Sequence, residues 1–241
     1  MSGHQKRLTT PNAWRIAKKA NTFITKTAPG PHTKEAMPVA VWLRDHMGFA
    51  RTMKEVKKIL SDRAVIVNGT PARDPRMGIG VFDIISIPAM AKHYRILLDK
   101  RGNLVSIEIT ADAATTRLCK IRDKTEVKGG RVQLNLRYGA NIIADHRYRP
   151  RDSVVLSLED SNRFAIVDHF PFQTGNVAMI IGGRHSGKVG RIVEITRTGG
   201  SIPNKVTLDD LEGGTRFDTI DDYVFMVGRE EPAVQEWGIE A

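Results

Sequence analysis

Residues 51–69, Arg-Thr-Met-Lys-Glu-Val-Lys-Lys-Ile-Leu-Ser-Asp-Arg-Ala-Val-Ile-Val-Asn-Gly, change period half-way along. Thr52-Met53-Lys54-Glu55 is a capping box: a hydroxyl for the first unpaired N–H groups of a helix, with a carboxylate three residues on. Met53, Val56, Ile59 and Leu60 then recur at helical spacing and form one apolar face. Lys54, Lys57 and Lys58 fall off that face, and Arg51 stands at its entrance. From Ala64 the pattern becomes that of a strand, Ala64-Val65-Ile66-Val67, and Asn68-Gly69 asks for a tight hairpin turn. Upstream, residues 38–47 read as a helix with Val39, Val41, Trp42 and Leu43 apolar, ended by Gly48. Downstream, Phe82–Ile87 reads as a strand stopped by Pro88. Two helices, a hairpin and a closing strand make a small α/β unit, assigned to residues 35–92.

The segment before it, residues 1–34, holds seven Lys/Arg and no Asp or Glu. Such an arm cannot neutralise itself, so it calls for an external polyanion. Lys6, Arg7, Arg15, Lys18, Lys19 and Lys26 supply charge, His32 a further polar ring, and Trp14 and Phe23 supply stacking surfaces. Cations interleaved with aromatics suit RNA, where phosphates give affinity and unstacked bases give contacts. Thr10-Pro11 is expected to open a short helix carrying Arg15, Lys18 and Lys19. The arm as a whole is expected to be disordered in the free protein and to order on RNA.

The bulk numbers agree with a polyanionic partner. The chain of 241 residues has a formal net charge of +10 and a pI near 9.9, and 41% of it is hydrophobic. That length allows two or three small domains, and that charge disfavours acidic small-molecule substrates. Cys119 stands alone, which leaves no disulfide framework or Cys-rich zinc site. No apolar run approaches the roughly 20 residues needed to span a bilayer, and the start lacks a signal-peptide core. A cytoplasmic location is expected.

After residue 93 the pattern is almost all β. Tyr94–Leu98 and Leu104–Ile109 flank a hairpin loop, and Val132–Leu136 alternates strictly. Short strands with Gly-rich turns continue to residue 227, which suggests small barrels. The last residues, 229–241, carry one Arg against four Glu. Two segments imitate catalytic motifs. Gly182-Gly183-Arg184-His185-Ser186-Gly187-Lys188 has P-loop spacing, but Val189 stands where a magnesium-binding hydroxyl belongs and a β pattern follows where a helix is needed. His93-Tyr94-Arg95-Ile96-Leu97-Leu98-Asp99 resembles the catalytic His-Arg-Leu-Asp of pseudouridine synthases with the spacing broken. Asp99 reads instead as a turn residue. His32, His46, His93, His146, His169 and His185 form no ligand pairs, so no metal and no cofactor are expected.

Residues 35–92 resemble the small α/β RNA-binding domain first defined in a small-subunit ribosomal protein, through Leu43, Phe49-Ala50-Arg51-Thr52, Val56, Ile59-Leu60, Val65, Val67-Asn68-Gly69 and Phe82-Asp83-Ile84-Ile85. In that family the second helix and the hairpin contact RNA, which implies Arg51, Thr52, Lys54, Lys57, Lys58, Asn68 and Arg73 here. Residues 177–195 resemble a KOW motif, whose loop implies Arg184, His185 and Lys188. With Pro29-Gly30-Pro31-His32, Leu118-Cys119-Lys120-Ile121, Gln133-Leu134-Asn135-Leu136 and Tyr223-Val224-Phe225, nearly the whole chain is similar to the archaeal–eukaryotic "four-e" family of small-subunit ribosomal proteins. Residues 137–140 depart from that family's pattern, so only Asn141 is carried over there.

The resemblance implies an α+β multidomain chain: a basic arm (1–34), a small α/β RNA-binding domain (35–92), a central mostly-β domain (93–172), a KOW-type β-barrel (173–228) and an acidic tail (229–241). It implies a non-enzymatic constituent of the small ribosomal subunit, archaeal in type, that binds ribosomal RNA and neighbouring ribosomal proteins and takes no membrane or small-molecule substrate. The alternatives are an RNA-modifying pseudouridine synthase and a free KOW-containing transcription or translation factor.

Overall fold

A computed structural model describes residues 3–30, 32, 36–200, 202–211 and 213–231. The expected acidic tail falls outside these residues except for 229–231. The chain is multidomain and mostly β, in two compact units. The first holds the described residues up to Leu97 with Asn103–Arg117 and Leu158–Asp160. The second holds Leu98–Gly102, Leu118–Ser157 and the described residues from Ser161 onward.

The arm corrects two expectations. Its described residues are folded within the first unit rather than disordered. Strands β1 (Gln5–Lys6) and β2 (Phe23–Ile24) form an antiparallel ribbon, and Arg7, Trp14, Ile24 and His32 are buried. The missing acids come from the following domain. Arg7 reaches Asp45 at 2.9 Å and His32 reaches Asp83 at 2.8 Å. An acid-free segment can therefore be neutralised inside its own chain, which local composition does not reveal. The helix expected after Thr10-Pro11 is a single 3-10 turn, Asn12–Trp14. Trp14 is 1% exposed and Arg15 turns left-handed at φ 48. The turn therefore ends once the indole is buried, and Arg15, Lys18 and Lys19 share no helix face.

Strand β3 (Met37–Pro38) leads into helix α1 (Val39–Val41), which widens without a break into a π-helical turn, Trp42–His46. The Met47 N–H donates to the Trp42 carbonyl at 2.9 Å, the wider spacing of such a bulge. Helix α2 (Met53–Ser61) forms as its capping box dictates. The Glu55 N–H donates to Thr52 Oγ1 at 3.3 Å, and the Glu55 carboxylate accepts the Arg51 N–H at 2.7 Å. That bond to Arg51 holds the Glu55 carboxyl below its usual pKa. Val56 and Leu60, four residues apart, are buried.

The hairpin β4 (Ile66–Val67) and β5 (Thr70–Pro71) turns through Asn68 and Gly69 at φ 50 and 75. Paired positive φ values are what an Asn-Gly turn supplies. Strand β6 (Gly78–Ile79) pairs with β3. Strand β7 is Ile84–Ile87, two residues shorter than expected, because Phe82 takes φ 67 and Asp83 is turned inward. With β8 (Lys92–Leu98) and β9 (Leu104–Ile109) these strands form one sheet in the order β5-β4-β7-β8-β9. The boundary expected after residue 92 thus falls inside β8, which is paired residue by residue with β7.

In the second unit β10 (Thr116–Val127), β11 (Arg131–Leu136), β12 (Asn141–Ala144), β13 (Ser153–Ser157) and β14 (Ile166–Phe170) form a sheet ordered β12-β11-β10-β13-β14. Ile121, Leu134, Leu136, Val154 and Leu156 are among the residues of its core. Strands β15 (Val177–Ile180), β16 (Val189–Thr196), β17 (Lys205–Asp210), β18 (Arg216–Ile220) and β19 (Val224–Gly228) form another, ordered β18-β17-β16-β15-β19. Lys120 of β10 ties the two together. Its ammonium donates to the carbonyls of Asp221, Asp222 and Val224 at 2.9, 3.0 and 2.7 Å. Burial, and then the Arg137 guanidinium, push its pKa down to about 7. Three acceptors nevertheless need three N–H donors, which only the ammonium has.

Candidate nucleic-acid interface

The cap fixes where α2 begins, and its burial of Val56 and Leu60 fixes which way it faces. Lys54, Lys57 and Lys58 are therefore exposed, and among the described residues they make no ion pair. Beside the last turn of α2 lies an open concavity of about 500 Å3, lined by Lys57, Leu60, Ser61, Arg63, Arg73 and Pro75. Three cations and no carboxylate line it. Asp74, next to Arg73, is turned away to accept the Arg76 N–H at 2.8 Å. The structure thus brings Lys57 of the helix together with Arg73, which follows the hairpin. It adds Arg63, which sequence reasoning passed over. The only signal for it was a basic residue directly after the helix end, where Arg63 takes φ 53. This arrangement can hold phosphate oxygens without competition from internal acids.

The hairpin is a partial correction. The Asn68 side chain is committed inward: its amide donates to Asp83 at 2.8 Å and its carbonyl accepts the Ile84 N–H at 2.9 Å. Asn68 shapes the turn and has little left to offer RNA. Thr52 likewise spends its hydroxyl as the cap.

In the arm, Arg7, Trp14 and His32 are removed from the candidate surface by burial. Arg7 also donates to the Ala17 carbonyl at 2.6 Å, and Trp14 cannot serve as a stacking platform. Lys6, Arg15 and Lys19 are exposed, Lys18 and Lys26 half-buried. Lys18 bonds the Asn12 side chain. In the second unit Asn141 is exposed at the start of edge strand β12.

The loop before β16 divides its three candidates. Arg184 is exposed. Lys188 is paired with Asp210 at 3.0 Å and lies over the Phe217 ring, against which His185 also stacks at 4.8 Å. A strand, not a helix, follows the loop, so the cradle a P-loop needs is not built. A Cβ at Gly187 would sit 1.7 Å from the Asp99 carbonyl, so only glycine fits there. Asp99 is buried, and its carboxylate accepts the Arg101 N–H at 2.8 Å within the β8–β9 turn. That is turn chemistry, as its position before Lys-Arg-Gly indicated.

Four family descriptions match successive parts of the chain: the RS4NT domain at residues 1–35, the S4 domain at 37–85, the ribosomal family S4e at 90–163 and the KOW motif at 174–209. The small ribosomal subunit protein eS4 of Methanospirillum hungatei is 58% identical over 240 residues, covering 100% of both chains. The chain belongs to the ribosomal S4e family. The eS4 protein of Archaeoglobus fulgidus is 40% identical, covering 95% of this chain and 94% of that one. The crystal structure of the 30S ribosomal protein S4e from Thermoplasma acidophilum matches with a TM-score of 0.66 at 29% identity, covering 80% of this chain and 95% of that one.

Membership of the S4e family decides between the expected alternatives. The chain is a structural, RNA-binding protein of the small ribosomal subunit, hence of the cytoplasmic ribosome, and not an enzyme. The pseudouridine-synthase and free KOW-factor readings are set aside.

Proposed function

We propose that this chain docks on ribosomal RNA chiefly through the polar face of α2 and the basic concavity beside it, with exposed arm cations and Arg184 as further phosphate contacts. The observation that carries the reading is the acid-free cluster of Lys57, Arg63 and Arg73 beside unpaired Lys54 and Lys58. Most other candidate cations with known partners are spent on internal carboxylates or carbonyls. Cations without internal partners release counterions on meeting phosphate, which supplies affinity without sequence preference.

The test is the double substitution Lys54→Glu with Lys58→Glu. Glu is also a good helix former, so α2 should persist. Affinity for small-subunit ribosomal RNA should fall on all fragments alike, and the variant should enter subunits poorly in a sedimentation assay. Thr52→Ala is the control. It should cost ~1 kcal/mol of stability through the lost cap and leave RNA affinity near that of the parent. A folded double variant that assembles normally would move the docking surface elsewhere.

A further inference from the structure

The β1–β2 ribbon places Lys6 directly opposite Phe23 and Gln5 opposite Ile24. Side chains on a strand alternate between faces. Ile24 is 7% exposed and forms the inner face with Gln5, while Phe23 is 55% exposed on the outer face with Lys6. The ribbon cannot roll over. Arg7, next to Lys6, is held in the interior by Asp45 and the Ala17 carbonyl, and its N–H donates to the Thr22 carbonyl at 3.0 Å. His4 stands perpendicular to the Phe23 ring with centroids 5.3 Å apart, which fixes one side of it. Lys6 makes no ion pair among the described residues, and no carboxylate occurs anywhere in residues 1–34.

We propose that Phe23, with Lys6 opposite it, is a stacking site for a single unpaired nucleobase of RNA, the base lying on the ring and its phosphate on the ammonium. This rests on the ribosomal-RNA reading above and names the feature of that RNA which the arm selects. A nucleotide offers a π face and a negative charge a few ångströms apart, matching the aromatic and cation across this ribbon. A protein pocket would cover the ring but leave the Lys6 ammonium, which has no ion pair among the described residues, unanswered. A continuous duplex hides its base faces, so the occupant is a bulged or looped-out residue. With Trp14 buried, Phe23 is the arm residue left for this role.

The experiment titrates the full chain with an RNA hairpin carrying one bulged nucleotide and with the same hairpin fully paired, at one fixed salt concentration. The parent should prefer the bulged RNA. Phe23→Ala should weaken that complex roughly 5- to 150-fold, the range base–aromatic stacking carries, and leave the paired one unchanged. Phe23→Trp should retain the preference, and Phe23→Leu, apolar but without a π face, should lose it as Ala does. Because Phe23 faces solvent, urea midpoints should be the same for all four proteins. Full binding by Phe23→Leu would overturn stacking in favour of a plain apolar contact. Unchanged affinity of Phe23→Ala for both RNAs, with poorer entry into subunits, would assign the ring to a protein neighbour and leave the ribosomal-RNA reading standing. A parent that binds both hairpins equally would remove the stacking site and leave the ribosomal-RNA reading standing.

Discussion

Asp83 joins parts of the first unit that are distant in sequence. It accepts the Gly80 N–H at 2.9 Å, the Asn68 amide at 2.8 Å and the Arg117 guanidinium at 2.6 Å, and faces His32 Nε2 at 2.8 Å. Burial opposes its ionisation, but the charges of His32 and Arg117 outweigh that and hold the carboxyl well below the usual range. A carboxyl whose folded pKa is depressed contributes stability above its unfolded value, and that contribution is lost as pH falls through the folded value. Asp83→Asn should therefore lower the urea midpoint of the first unit at pH 7, by about 3–5 kcal/mol in stability, the range for breaking a buried ion pair. The gap between variant and parent should narrow below about pH 4, where the unfolded carboxyl is protonated. A constant gap across that range would show that Asp83 acts through shape rather than charge. Nothing near Asp83 in sequence announces this role. Asn68 and His32 looked like groups for RNA because the residue that engages them lies elsewhere in the chain.

Among the elements, α2 was legible and the arm was not, for one physical reason. The helix is specified by contacts within a turn or two, a hydroxyl for its first N–H groups and apolar residues four apart, and all of these are written in nineteen consecutive residues. The arm is specified by Asp45 and Asp83 of another segment, so its composition alone suggested a free polycation. The same remoteness hid the long β10, whose Lys120 is satisfied by the carbonyls of Asp221, Asp222 and Val224. The docked arm has a pH dependence of its own. Burial, and then the positive charge of Arg15, lower the pKa of His46, while the bond its ring donates to the Trp14 backbone works the other way. Below about pH 6.5 the unfolded imidazole binds a proton that the docked one resists. Stability thus rises with pH through this window and is lost on acidification. Amide hydrogen-exchange protection of residues 7–24 should be full at pH 7.5 and decline toward pH 5, after correction for the intrinsic rates. His46→Gln, which cannot titrate, should flatten the decline. If the variant declines as the parent does, another group governs the docking.

For the whole molecule, the net charge of +10 says nothing of which cations RNA can use. Sequence order located the arm, the S4-type domain, the β domain and the KOW segment, because each carries a local motif. It did not separate cations that face outward from those spent inside. Arg7 and Lys188 carry the same formal charge as Lys19 and Lys54, but the first two are paired with Asp45 and Asp210. Counterion release makes this difference measurable. Each phosphate neutralised contributes about 0.7–0.9 to the slope of log K against log salt, and separate contacts add. Replacing Lys54, Lys57 and Lys58 by Gln should lower the slope by about 2–3, and replacing Lys6 and Lys19 should lower it by a further ~1.5. The combined variant should show the sum. Lys188→Gln should leave the slope nearly unchanged, because the ammonium already has a carboxylate within the protein. A loss from Lys188→Gln equal to that from Lys54→Gln would mean the internal pair opens on RNA, and that burial and pairing in the free chain do not select the docking cations.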